Sequence, residues 1–298
     1  MTFSQQQRPE GSGKKGLFVT DLDGTLLNDQ RQIGPQDLAA LDRLHRMGVL
    51  IAFATGRSNY SFHKLMEKLD SSGPAGSLPA DYVIFSTGAG IMDFPGGRLL
   101  KSYALAPEEV RIVARVLDYL SLDYMIHQPV PDTRSFLYRC RSGENPDFHR
   151  RLALYRDFAE PFSPEALGQT QTGGATEVLC IVPQPKGHDI ADHLARALKQ
   201  FSVIKATSPL DGESIWIEIF APAVSKCQAV RWLAGEIGVA REQICAVGND
   251  YNDEDLLHWA GTSFVVANSP AVMLADFQAV ASNNKGGVSQ AAARWLGL

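Results

Sequence analysis

The sequence contains no run of apolar residues long enough to cross a bilayer, which takes roughly 18 or more in succession. Its amino terminus is polar and lacks the apolar stretch of a secretory signal peptide. We therefore expect a cytoplasmic protein with no membrane partner. Residues 1–15 are predicted to form a disordered tail.

Cysteine is scarce, and basic residues do not cluster. Cys140, Cys180, Cys227 and Cys245 lie far apart, and none belongs to a C-x-x-C pair. That spacing argues against a redox or zinc motif and predicts reduced thiols in the core. The formal net charge is -5, and no run of lysine and arginine stands out. Nucleic acid is therefore not an expected partner.

The chain has enough length and apolar content for one or two domains, with 298 residues of which 45% are hydrophobic. Strand and helix patterns alternate over residues 16–89 and again over residues 210–298. Residues 90–209 between them mix an amphipathic helix with loops and isolated strands. We predict an α/β fold in which a Rossmann-like parallel-sheet core carries an inserted α+β domain at 90–209.

Polar residues cluster where predicted core strands end. The clusters are Asp21 to Thr25, Thr55 to Arg57, Thr87 to Ala89 and Gly248 to Asp253. An open parallel sheet binds ligands beyond the carboxyl ends of its strands. We therefore expect these four segments to converge on one site.

The first cluster places Asp21 and Asp23 directly after an apolar strand with a single residue between them, and Gly24 and Thr25 follow. Magnesium usually takes one or two carboxylates together with water and substrate phosphate. A carboxylate can also attack phosphorus itself. An Asp-rich turn or helix cap is the alternative, and the weaker interpretation of this loop.

Three further features suit phosphate or metal binding, and each has a plainer alternative. The Thr55 hydroxyl and nearby N–H groups can hold phosphate oxygens, or Thr55 can cap a helix. Lys226 opens a predicted helix, where a cation is unfavourable unless an anion lies nearby; the alternative is a solvated lysine. The acids of residues 249–253 repel one another unless a cation is present, although Asp250 or Asp253 can also cap a helix.

Together these segments resemble the haloacid dehalogenase-like phosphatases, and within them the Cof-type sugar-phosphatase group, which carries a large cap between its second and third motifs. The resemblance covers nearly the whole core and includes the carboxyl-terminal stretch that begins at Ala267. It implies a Mg²⁺-dependent phosphatase that acts on a small-molecule phosphate ester. Sugar phosphates are the usual substrate class of that group.

The resemblance also implies roles for single residues. Asp21 would be the nucleophile that becomes phosphorylated, and Asp23 the general acid. The residues implied in phosphate binding are Thr55, Gly56, Lys226 and Asn252, and those implied in Mg²⁺ binding are Asp21, Asp23, Asn249, Asp250 and Asp253.

The chain departs from the group's pattern at two positions. Asn249 stands where the first metal aspartate is usual, so either its carbonyl oxygen or Asp250 would take that role, with weaker Mg²⁺ binding. Thr87 stands where the third strand of that group usually ends in asparagine, in the sequence Asn-Gly-Ala. Two other functions stay open: a phosphomutase or phosphotransferase on the same nucleophile, and a weakly active metal-dependent binding module. A homodimer stays open as well.

Overall fold

The computed structural model describes residues 16–72, 78–94, 96–162 and 174–298, so the predicted tail at 1–15 lies outside the described residues. The strands are, in chain order, β1 Leu17–Thr20, β2 Leu50–Ala54, β3 Tyr82–Phe85, β4 Gly90–Asp93, β5 Arg98–Ser102, β6 Tyr124–His127, β7 Phe136–Arg139, β8 Ala159–Pro161, β9 Glu177–Val182, β10 Ser202–Thr207, β11 Ile215–Phe220, β12 Ile244–Gly248, β13 Thr262–Val266 and β14 Ala279–Val280. The α-helices are α1 Pro35–Arg46, α2 Asn59–Ser72, α3 Pro107–Tyr119, α4 Pro146–Leu154, α5 Gly187–Ala197, α6 Lys226–Ile237, α7 Glu254–Trp259, α8 Ala271–Asp276 and α9 Gly287–Trp295.

The larger sheet has the strand order β14-β13-β12-β1-β2-β3-β4-β5. Neighbouring strands from β14 to β3 are parallel, whereas β4 and β5 form an antiparallel edge. The carboxyl ends of the parallel strands therefore meet at one edge of the sheet. This architecture confirms the predicted α/β fold with a parallel-sheet core.

The side chains of β1 alternate between two apolar layers, one on each face of the core sheet. Leu17 and Val19 pack in the layer that contains Val230 of α6. Phe18 packs in the opposite layer with Leu41 of α1. Each such fully buried side chain contributes about 1.5–3 kcal/mol to folding. Burial on both faces explains why β1 is a continuous apolar run, and it fixes the loop that follows the strand.

The smaller sheet has the order β10-β11-β9-β6-β7-β8 and is antiparallel apart from the β7–β8 pair. Helices α3 and α5 cover one of its faces, where Leu117 and Leu194 are buried. Helix α4 lies on the other face, where Phe148 packs beside Trp216. This sheet and its three helices form the inserted α+β domain, called the cap below.

The two sheets divide the chain at positions that differ from the predicted boundaries of 90 and 209. Strands β4 and β5, residues 90–102, pair with β3 and extend the core sheet. Strand β11, residues 215–220, pairs with β9 and β10 in the cap sheet, so its predicted place in the core is wrong. An apolar strand has the same local pattern in either sheet, because its partners are distant in sequence.

No helix among the described residues is long and apolar enough to cross a membrane. Cys180, Cys227 and Cys245 are buried free thiols as expected, but Cys140 is a free thiol that is exposed. The prediction of a core position is therefore wrong for Cys140.

Candidate active site

The four polar segments do converge at the carboxyl edge of the core sheet. Backbone hydrogen bonds join them: the Asp21 N–H donates to Val247 O at 2.9 Å, and the Thr87 N–H donates to Thr55 O at 3.0 Å. The parallel register of the strands brings these segments together although they are distant in sequence. The site is therefore built by the sheet and not by any single loop.

Lys226 lies at the centre of the site, and its side chain is fully buried. Its Nζ donates to Asp21 Oδ1 at 2.8 Å, to Asp253 Oδ1 at 2.6 Å and to Asn252 Oδ1 at 3.2 Å. Ser225 caps α6 with a hydroxyl that accepts a backbone N–H of the first turn at 3.1 Å. The acceptors around the ammonium explain why a cation is tolerated at the start of a helix.

Burial and neighbouring charges shift the pKa values of Asp21 and Lys226 in opposite directions. Burial raises the pKa of Asp21 to about 7, and the attraction of Lys226 opposes that rise. For Lys226, burial acts to lower the pKa, but the Asp21 and Asp253 carboxylates outweigh it, so the pKa is raised. Lys226 is therefore cationic at neutral pH and favours the ionised form of Asp21.

Asp23 is held by a residue that the sequence analysis did not single out. Arg57 makes a forked contact with the Asp23 carboxylate, from Nε to Oδ2 at 2.6 Å and from Nη2 to Oδ1 at 2.5 Å. The Asp23 side chain is 35% exposed and that of Arg57 17%, so the pair lies at the mouth of the site. A two-pronged contact of this kind fixes the orientation of the carboxyl group. The sequence indicated this residue only as the last member of the polar cluster from Thr55 to Arg57.

The Asn249 amide reaches both aspartates of the first loop and fits in two orientations related by a half-turn. In one, Oδ1 accepts a hydrogen bond from the Thr25 hydroxyl at 3.0 Å. In the other, Nδ2 donates to Asp23 O at 3.1 Å, to Asp21 Oδ2 at 3.2 Å and to Thr25 Oγ1 at 3.0 Å. The second orientation satisfies more polar atoms. The first brings three oxygen atoms together, which is favourable only around a cation.

Those three oxygen atoms fit Mg²⁺. Bonds from Mg²⁺ to oxygen are about 2.0–2.1 Å long, so ligands at neighbouring octahedral corners lie about 2.9 Å apart. The terminal atom of Asn249 lies 3.1 Å from Asp23 O and 3.2 Å from Asp21 Oδ2, close to that spacing. In the part of the chain that the structure describes, no group of three or more acidic, histidine or cysteine side chains could hold a metal ion. The fit therefore depends on the carbonyl oxygens of Asp23 and Asn249.

The other two acids of the loop after β12 have different partners. Asp253 Oδ2 accepts the N–H groups of Asn249 at 2.9 Å and Asp250 at 3.2 Å, while its Oδ1 accepts from Lys226. Asp250 accepts the Thr207 N–H at 2.6 Å and the Thr207 hydroxyl at 3.1 Å, one with each carboxylate oxygen. Thr207 ends β10, so Asp250 is a contact with the cap, which differs from its predicted metal role.

Gly56, one of the residues predicted to bind phosphate, has polar side chains close to its Cα. The polar atoms nearest to the place of a Cβ on this glycine are Thr87 Oγ1 at 3.5 Å, Asn252 Nδ2 at 3.6 Å and Glu218 Oε1 at 3.9 Å. Thr55 is buried beside it, and its Oγ1 accepts a backbone N–H of the same loop at 3.1 Å. The backbone at Gly56, which carries no side chain, therefore lies close to several polar groups.

Glu218 of the cap and Thr87 of the core are both among these polar residues, and they bond each other. The Thr87 hydroxyl donates to Glu218 Oε2 at 2.7 Å, and both residues are buried. Ser86 and Thr87 have φ angles of 45° and 53°, a conformation that costs a non-glycine residue on the order of 1–3 kcal/mol and is concentrated at functional sites. Glu218 is not among the site residues predicted from the sequence. Its signal was one acidic residue inside the otherwise apolar strand β11, where a buried carboxylate needs a polar partner.

Comparisons with known sequences point to one family. A family model described as haloacid dehalogenase-like hydrolase matches residues 18–291. The putative phosphatase YxeH of Bacillus subtilis is 25% identical over 281 residues, which covers 92% of this chain and 96% of that protein. The HMP-PP phosphatase of Cronobacter sakazakii is 25% identical over 260 residues and covers 87% of each chain.

Solved structures share the fold. A Bacteroides thetaiotaomicron phosphatase of the haloalkanoate enzyme superfamily aligns with a TM-score of 0.75 at 16% identity, covering 99% of this chain and 100% of that one. A subclass IIB sugar phosphatase aligns with a TM-score of 0.71 at 16% identity, covering 95% and 99%. These alignments include the core sheet and the cap. Because the family model also matches most of the chain, this protein belongs to the haloacid dehalogenase-like hydrolases, as its sequence motifs predicted.

Proposed function

We propose that this protein is a Mg²⁺-dependent phosphatase that hydrolyses a small phosphomonoester through a phosphorylated intermediate on Asp21. The observation that carries the proposal is the fully buried Lys226 ammonium, which bonds Asp21 and Asp253 at the carboxyl edge of the sheet. A carboxylate held by a buried cation, with a second carboxylate two residues later, suits nucleophilic attack on phosphorus. Relatives named as phosphatases support the same reaction.

In the first step, Asp21 attacks the phosphoryl group. Its Oδ2 faces Asn249, so Oδ1, beside Lys226, is the oxygen that forms a bond with phosphorus while the bond to the ester oxygen breaks. Donors around the Gly56 loop hold the phosphoryl oxygens in line. These donors are the Thr55 hydroxyl, the Gly56 N–H, Lys226 Nζ and Asn252 Nδ2.

Asp23 moves the protons. As the acid it gives its proton to the leaving ester oxygen, and as the resulting carboxylate it takes a proton from the water that attacks phosphorus. That attack breaks the bond to Asp21, restores its carboxylate and releases inorganic phosphate. Arg57 is a positioning residue in this scheme, because its forked contact keeps the Asp23 carboxyl group at the mouth of the site.

The residues that would hold Mg²⁺ are Asp21 through Oδ2, Asp23 through its backbone oxygen and Asn249 through Oδ1. When bound, the ion supplies positive charge that offsets the charge of the transferring phosphoryl group. Asn249 has to turn its oxygen toward the two aspartates for this purpose. Because its amide is neutral where a carboxylate is usual, we expect weak Mg²⁺ binding. Asp253 keeps Lys226 and the loop in place instead of serving as a ligand.

The cap restricts the substrate to a small molecule. Contacts from β10 and β11, namely Thr207 with Asp250 and Glu218 with Thr87, hold the cap over the loops of the core. A cap in this position blocks the approach of a folded protein or a nucleic acid duplex to the site. Sugar phosphates are the class that we favour, in line with the subclass IIB sugar phosphatase among the structural neighbours. A cytoplasmic location, where such esters occur, is part of the same proposal.

The first experiment measures phosphate release from p-nitrophenyl phosphate and a panel of sugar phosphates, with Mg²⁺ or with a chelator. We expect Mg²⁺-dependent release, and a loss of about 1,000-fold or more in kcat for Asp21→Asn with the fold intact by circular dichroism. Asp42→Asn, at an exposed position of α1, is the matched control and should keep its activity. Near-normal turnover by Asp21→Asn would contradict the proposal. Conversion of a sugar phosphate into an isomer without free phosphate would identify a phosphomutase.

A further inference from the structure

Beyond the reaction centre, polar side chains are buried on the face of the cap sheet that looks toward the core. The strand register places them side by side. His127 of β6 lies opposite Glu177 of β9. Glu218 of β11 lies opposite Leu179, two residues further along β9 and on the same face. His127, Glu177 and Glu218 are buried, although glutamate is rarely fully buried unless it is paired.

Arg151 of α4 reaches over this face without pairing with either glutamate. Its guanidinium carbon lies 4.5 Å from the centre of the Trp216 ring, and its Nη2 lies 3.4 Å from His127 Nε2. Over the described ranges of the chain, no ion pair joins Arg151 to Glu177 or Glu218, and Arg151 Nε has no hydrogen-bond partner. The Nε–H group of Arg151 therefore has no acceptor, although Glu177 and Glu218 lie near this side chain.

Glu177 is the least satisfied group of this face. Its side chain is buried, with 8% of the residue exposed, and Oε2 has no hydrogen-bond partner among the residues that the structure describes. Its Oε1 lies 3.9 Å from His127 Nε2, but burial lowers the pKa of His127 to about 3, so the ring is neutral. Burial and the nearby Glu218 raise the pKa of Glu177 to about 8. Polar groups that serve only the core are normally paired, so these unpaired atoms suggest a ligand.

The same face is continuous with the reaction centre. Glu218 bonds Thr87 through Oε2, and its Oε1 lies 3.9 Å from the place of a Cβ on Gly56, beside the proposed position of the phosphoryl group. Glu218 therefore lies nearest to the proposed phosphoryl position, and Glu177 is its diagonal neighbour on the adjacent strand β9.

The two buried glutamates favour a cationic leaving group. Burial and the nearby Glu218 disfavour the ionised form of Glu177, and among the described residues Glu177 Oε2 has no hydrogen-bond partner. A cation that bonds this oxygen offsets the repulsion from Glu218 and stabilises the ionised form of Glu177, whereas a neutral group does neither.

We propose that Glu177, Glu218 and Arg151, here called the cap subsite, select phosphate esters whose leaving group carries a primary ammonium beside a hydroxyl or other acceptor oxygen. The ammonium donates to Glu177 Oε2 and to Glu218, and the acceptor oxygen takes the Nε–H of Arg151. A hydroxyl in place of the ammonium leaves Glu177 and Glu218 without a bonded cation, which makes a neutral sugar the poorer ligand. This selection presupposes the phosphatase reaction proposed above.

The test compares glucosamine 6-phosphate with glucose 6-phosphate, which differ only in an ammonium or a hydroxyl at one ring carbon. We expect kcat/KM of the wild type to be about tenfold higher for the amino ester. In Glu177→Gln, which keeps the shape of the side chain, that ratio should fall to near one, chiefly through KM. Glu160→Gln, at an exposed position of the cap, is the matched control and should keep the wild-type ratio.

Calorimetric binding of both esters to Asp21→Asn provides a second readout that needs no turnover. A wild-type ratio at or below one, or an unchanged ratio in Glu177→Gln, would overturn the cap subsite while the phosphatase reaction stands. If neither ester is hydrolysed but the amino ester binds more tightly, the cap subsite stands and the proposed reaction fails. Equal binding of both esters without turnover would reject the cap subsite and the reaction together.

Discussion

Asn249 differs from aspartate by one NH2 group, and that group can lie 3.1 Å from Asp23 O and 3.2 Å from Asp21 Oδ2. With the nitrogen toward these oxygens, the amide donates to both and needs no cation. With the oxygen toward them, it completes a set of three oxygen atoms that is stable only around a cation. An aspartate would have the second arrangement alone, with an additional negative charge.

Replacement of Asn249 by aspartate is therefore expected to tighten Mg²⁺ binding about tenfold or more, because ligand charge sets the affinity of such sites. Isothermal titration calorimetry with Mg²⁺ measures this directly. Without Mg²⁺ the same variant should melt at a lower temperature than the wild type, since its carboxylate faces Asp21.

The matched control for this prediction is Asp250→Asn. Asp250 is bonded to Thr207 of the cap, so its replacement should leave the Mg²⁺ affinity as in the wild type. If Asn249→Asp binds Mg²⁺ no more tightly than the wild type, Asn249 does not belong to the metal site.

At the scale of helices and strands, the local sequence pattern predicted most of what positions the site. Helix α6 begins at Lys226, the position at which the sequence predicted that a helix opens. The convergence of the polar strand ends was also predicted correctly, because it follows from the parallel order of the strands.

The elements that could not be predicted depend on pairing between distant parts of the chain. Strand β11 is apolar except for Glu218, and only its pairing with β9 and β10 shows that it belongs to the cap. The roles of Glu218 and Arg57 depend on Thr87 and Asp23, which come from other segments. No local periodicity contains that information, because side-chain partners are set by tertiary packing.

The turn after β3 packs against the start of α6, and this contact is a testable element of the site. Gly88 has a φ of 108°, and a Cβ there would lie 2.3 Å from Ser225 O. Gly88→Ala should therefore displace the first turn of α6 and with it Lys226. We expect a fall in melting temperature of about 4 °C or more and a loss of kcat of about tenfold or more.

Gly97→Ala is the control for this variant. Gly97 also has a positive φ, 70°, but among the described residues no atom lies within 4 Å of a Cβ placed there. It should therefore show only the cost of backbone strain, about 1 kcal/mol, and full activity. If both variants lose stability and activity equally, the turn after β3 does not position Lys226.

At the scale of the whole molecule, the cap and the core meet at the loops that carry the proposed chemistry. Thr207 of the cap bonds Asp250, and Lys205 Nζ of the cap lies 5.3 Å from the centre of the Tyr251 ring. Asp250 and Tyr251 both belong to the loop after β12. Asn249 and Asp253 belong to the same loop. The cap therefore contacts the same loop that carries two residues of the site.

Chemical trapping of the phosphorylated enzyme tests the central claim most directly. The wild type is mixed with p-nitrophenyl phosphate and Mg²⁺, quenched with acid within the first turnover and reduced with borohydride, which converts an aspartyl phosphate into homoserine. We expect peptide mass spectrometry to find homoserine in place of Asp21, and none in Asp21→Asn. Homoserine in place of Asp23, or phosphate release without any modified aspartate, would contradict the assignment of Asp21 as the nucleophile.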